Sequence, residues 1–196
     1  FFFTLFVPLL EGGAGAKASD AAETTGFFQG YLREQVGNVR WIFPQSAEDL
    51  VDDLQEIQKA AWEKLSTELG VEFARPIEIR VAINPEKMQK LAPPEIRLPK
   101  YATGVAFPAE GIILLTLTAP KSWKPAPVRS VLVHELSHLA LHRAVDGKPL
   151  PRWFQEGVAV RQAGESSLGR LRVLWEAVVQ DRLIPLQNLS SKFPAQ

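Results

Sequence analysis

The sequence predicts an α+β fold, and three observations point there. Strand-like alternation occupies 77–83 and returns at 101–107 and 111–117. A long amphipathic helix at 46–70 precedes these strands, and helical patterns fill the chain after 127. Strands and helices both occur in quantity, with helices alone after 127, as in an α+β chain. The 196 residues, 46% of them hydrophobic, suffice for one good core.

The chain begins with "FFFTLFVPLL", an apolar run too short to span a bilayer as a helix. It resembles the apolar region of an export signal, and Ala16-Lys17-Ala18 fits a small-x-small cleavage site. The initiating Met and the basic residues that normally precede such a run are absent, so the first residues of the natural chain are expected to be missing. Residues 1–25 are thus assigned to a signal-like, Gly- and Ala-rich segment, and 26–196 to one domain. Export is the expected fate, and any membrane contact is expected only through an uncleaved signal segment.

Residues 30–43 read as extended, with Val39, Trp41 and Phe43 alternating before Pro44. Ser46 then offers an N-cap with Asp49 three residues on, and Leu50, Leu54, Ile57, Ala61, Leu65 and Leu69 form an apolar stripe that Gly70 closes. The acidic run Glu48, Asp49, Asp52, Asp53 and Glu56 lies near the start of this helix, where the dipole favours negative charge; it reads as a solvated face. Pro85 opens a short helix at 85–92. "YATGVAF" and "GIILLTL" form a hairpin across Pro108-Ala109-Glu110, and the nearly all-apolar second strand belongs inside the sheet. Helices follow at 127–145, 151–163 and 166–182. The polar tail has no clear stop, so the natural chain is expected to continue.

Charge and composition exclude some functions. Basic and acidic residues balance at 22 each with no basic block, which disfavours a nucleic-acid partner. The absence of cysteine excludes disulfides, thiolate metal sites and a cysteine nucleophile.

All three histidines fall in "VRSVLVHELSHLALHR": His134, His138 and His142. On a helix His134 and His138 lie about 40° apart and about 6 Å along the axis, so both imidazoles can reach one tetrahedral ion. Glu135 is rotated by about 100°. It cannot share that ligand position but can lean over the open side of the metal. This is the His-Glu-x-x-His arrangement, in which two His bind zinc and the Glu serves as general base. Val131, Leu132, Leu139 and Leu141 give the helix buried flanks. His142 is about 12 Å from His134 along the axis, beyond the reach of bonds near about 2 Å, and reads as a bystander near the helix end. A His six residues after His138 would mark a different zinc class, but that position is Ala144.

The third ligand is expected at Glu156. The His helix ends at Asp146-Gly147 and a new one starts at Pro151, a link short enough to make the two antiparallel. Gly147 lies about 13 Å beyond His138, and Glu156 about 8 Å into the returning helix, so Glu156 comes back to the level of the ion. Gly157 is expected to let the two helices approach closely.

Taken together, "VLVHELSHLALHR" and "GKPLPRWFQEGVAV" resemble the gluzincin metallopeptidases, in particular the peptidase MA-like family, whose second motif is matched by Trp153, Glu156, Gly157 and Ala159. The resemblance covers about 30–190. It implies a zincin-like fold with a mixed sheet and long N-terminal helix above an active-site helix and C-terminal helices. It implies zinc held by His134, His138 and Glu156, with Glu135 as catalytic base in hydrolysis of a peptide or protein substrate. Some gluzincins carry an acidic residue four positions after the ligand Glu; here it is Val160, so the group orienting the ligands must come from elsewhere. The alternative reading is a peptidase-like binding module that keeps the zinc and has lost turnover.

Overall fold

The computed structural model describes residues 30–72, 75–118 and 127–164. The signal-like segment and the helix expected at 166–182 lie outside the described residues. The region expected as one extended run is a hairpin. β1 (Tyr31–Val36) and β2 (Val39–Pro44) pair antiparallel, with Val36 opposite Val39. Gly37 makes the reversal at a φ of 57°, and Gly-Asn between two Val residues is the local signal for it.

β2 runs through a 3-10 turn (Gln45–Ala47) into α1 (Glu48–Leu69), which Gly70 ends. Ser46 does not cap this helix. The 3-10 turn absorbs it and leaves it exposed, while Ala47, buried against the core, takes the cap position with no side-chain bond. The buried face is also rotated from the expected stripe. Val51, Leu54, Gln58, Ala61 and Leu65 are buried, and Leu50, Ile57 and Leu69 flank them. The alternating steps of three and four are those of a helix lying along another helix, which brings Gln58 inside.

β3 (Ile77–Ala82) is parallel to β2. α2 (Pro85–Leu91) follows, capped by Asn84, whose side chain accepts from the Lys87 amide at 2.9 Å. β4 (Gly104–Phe107) and β5 (Ile112–Thr116) form the expected hairpin. β5 inserts parallel to β3, giving the order β1-β2-β3-β5-β4. The strand predicted as interior is therefore interior, and β4 is an edge.

One sheet face packs Trp41, Phe43, Ile79, Val81, Ile113 and Leu115 against α1 and α3 (Val128–Ala144). The other packs Ile42, Val105, Phe107 and Leu114 against Met88 and Leu91 of α2. α4 (Arg152–Gln162) lies against α3, and α1 packs along α3. The result is an α+β, zincin-like architecture with a mixed sheet. α3 is buried without interruption from His134 to Leu141. A helix enclosed on all sides cannot leave polar side chains to water, so each must find a partner inside. Among the described residues no helix is long and apolar enough to cross a membrane.

Candidate metal centre

α3 places three of the four expected site residues. His134 and His138, one turn apart, hold their rings 5.0 Å centroid to centroid at 70°. Both are buried, as is Glu135 between them. The chain leaves α3 through Asp146 and Gly147, which have consecutive positive φ values of 53° and 72°. The left-handed region suits Gly, and Asp tolerates it better than most residues, so the pair stops the helix and reverses the chain. The Gly147 amide donates to the His142 carbonyl at 2.9 Å, closing the turn.

The returning helix brings Glu156 to the histidines as the hairpin distances predicted. Its Oε2 lies 3.4 Å from His134 Nε2 and 4.0 Å from His138 Nε2. One ligand atom from each of the three residues fits within 4.8 Å of the others. Donors on a tetrahedral ion with bonds of about 2.1 Å sit roughly 3.4 Å apart, so small adjustments complete the set. Among the described residues no other trio of His and acidic side chains converges in this way. His142 lies outside the group and packs near Gly147, 3.4 Å from where a Cβ there would sit.

Electrostatics prepare the same atoms. Neither ring nitrogen of His138 has a hydrogen-bond partner among the described residues. Burial, then the charges of His134 and Arg152, hold its pKa down from 6.5 to about 3. The ring is therefore neutral near pH 7, with a lone pair available to a cation. Two buried histidines with a partly buried Glu156 form a set that fits a zinc-like divalent ion.

A prediction for the metal-free chain follows. The unfolded chain protonates His138 near its ordinary 6.5, the folded chain only near 3. Between these values the unfolded state binds more protons, so stability is lost as pH falls, at up to about 1.4 kcal/mol per pH unit from this group. Thermal melts of chelator-treated protein from pH 7 to 4 should show this slope, and His138→Gln should flatten it.

Two features escaped sequence reasoning. Arg152, one turn before Glu156, places its Nε 3.9 Å from Glu156 Oε1. The carboxylate thus faces the histidines with one oxygen and a guanidinium with the other. The i, i+4 spacing was the available signal. The second is a polar chain across three helices. Ser137 Oγ donates to Gln162 Oε1, and Gln162 Nε2 donates to Glu68 Oε2 at 3.2 Å. Ser137 and Gln162 are buried, so each bond avoids a desolvation cost of about 1–3 kcal/mol and fixes how α4 sits on α3 and α1.

Gly157 does not make the close approach expected of it. It is exposed, and a Cβ there would meet nothing within 4 Å among the described residues. With Glu156 turned toward the histidines, the next residue rotates by about 100° off the contact. Gln155, Ala159 and Gln162 form the buried face instead, with Ala159 fully buried as the close-packing residue.

The fold and this constellation define a peptidase-type protein with a potential metal centre. The family model of the peptidase MA superfamily matches residues 57–196, more than half of the chain, and the chain belongs to that superfamily, whose peptidases are generally metal-dependent. No curated protein and no solved structure matches it significantly.

Proposed function

We propose that this chain is a zinc metallopeptidase of the gluzincin type. The observation that carries the reading is the convergence of His134 Nε2 and His138 Nε2 on Glu156 Oε2, with the buried Glu135 carboxylate on the same helix. His134, His138 and Glu156 would hold the ion. When bound, zinc supplies Lewis acidity that acidifies water and polarises a peptide carbonyl. Glu135 accepts the proton of the attacking water and passes it to the departing amine.

β4 supports the substrate side of the reading. Among the described residues it is an edge strand next to α3, the position from which an extended peptide could be added as a further strand. The formal net charge of zero gives no attraction to a polyanion, in keeping with peptide substrates. The apolar run at 1–10 and Ala16-Lys17-Ala18 add export to the proposal. Digestion of a peptide library by zinc-loaded protein tests it. Cleavage should cease with chelator and return with zinc; cleavage indifferent to chelator, or none at all, rejects the assignment.

A further inference from the structure

Edge strand and active helix meet at a residue without a side chain. Along β4, Val105 and Phe107 join the cluster on the α2 face, and Ala106 joins the core on the α3 face. The strand period of two puts Gly104 on the Ala106 side. Residues on that face are large in β3 (Ile77, Ile79, Val81) and β5 (Ile113, Leu115) and drop to Gly104 and Ala106 in β4. The small residues let β4 settle onto α3. A Cβ on Gly104 would lie 2.7 Å from Glu135 Oε1 and 3.0 Å from its Cγ, and nearer still to Val131 Cγ1. Gly104 is not among the positive-φ glycines, so it is required for space and not for backbone conformation.

We propose that Gly104 is a positioning residue for Glu135. The missing side chain leaves the volume that the carboxylate fills, and the strand backbone then holds that carboxylate in place beside the histidine pair. The inference rests on the peptidase reading, in which Glu135 moves the proton. Any side chain at 104 must turn the carboxylate aside or lift the strand, and both change the distance from base to attacking water. Neither change touches His134, His138 or Glu156.

Zinc-loaded Gly104→Ala tests this. A displacement near 1 Å costs on the order of 10²-fold, so kcat should fall by about that factor, while KM and zinc affinity change only a few-fold. Adding Val131→Ala removes the other clash. The double variant, compared with Val131→Ala alone, should regain thermal stability yet keep the low kcat. Recovery of kcat together with stability, or a parallel loss of zinc affinity, overturns the proposal. If the parent cleaves no peptide, the peptidase reading falls first. A crystal structure of the double variant then decides the inference: a Glu135 carboxylate moved from its parental position supports it, and an unmoved one rejects it.

Discussion

Glu135→Gln is expected to lower hydrolysis by about 10²–10⁴-fold, the range that a positioned general base contributes, and to leave one zinc per chain. The amide has nearly the shape of the carboxylate, so packing against Val131 and the bare face of Gly104 is kept. What disappears is the capacity to take a proton. Glu135 is 1% exposed, so bulk water cannot readily replace it as the base at that position. The variant separates proton transfer from metal binding because Glu135 is not one of the three converging residues. Turnover numbers on a cleaved peptide, with metal content measured on the same sample, check it. Retained turnover would remove Glu135 from the mechanism.

Glu156→Ala should have the opposite signature, with metal lost and activity following. Losing an outer partner of a ligand weakens metal affinity by about 10–100-fold, and deleting a ligand should exceed that. Here the loss has a second part. Glu156 is the carboxylate that faces two histidines and Arg152, so its removal takes away the negative charge that the ligand trio sets against an ion's. Competition titration with a chromogenic chelator measures the effect. His142→Ala is the control. Although it continues the same four-residue ladder, it lies outside the converging group, and its zinc affinity should equal the parent's. Equal losses in the two variants would reject the assignment of Glu156.

The site was legible because helical geometry is local. A spacing of four from His134 to His138 and a short reversal before Pro151 suffice to bring Glu156 level with them, whatever the rest of the fold does. What was not legible depended on direction. The spacing could place Glu156 at the right height but could not show that Ala159, not Gly157, would face α3. The expected stripe omits Gln58 because it runs through apolar side chains alone, whereas packing of α1 along α3 sets the buried face. Ser46 had the chemistry of a cap, yet the 3-10 turn after Pro44 moved the helix start past it. The contact of Gly104 with Glu135 joins a strand edge to a helix 31 positions away in the sequence, and no local pattern encodes such a meeting. The Gly37-Asn38 turn was different, for its signal was local and explicit.

The polar seam between α3 and α4 has a thermodynamic consequence. Among the described residues, the buried face of α4 consists of Gln155, Ala159 and Gln162, so two of its three buried side chains are polar. Docking of α4 then draws in part on the Ser137–Gln162–Glu68 bonds and, on the proposed reading, on an ion shared by Glu156 and the histidines. Metal capture and helix docking become a single linked equilibrium: an undocked α4 offers two ligands instead of three, and apparent affinity scales with the docked fraction. On the proposed reading, the tightness of an ion there would be set partly by a serine and a glutamine outside the ligand trio.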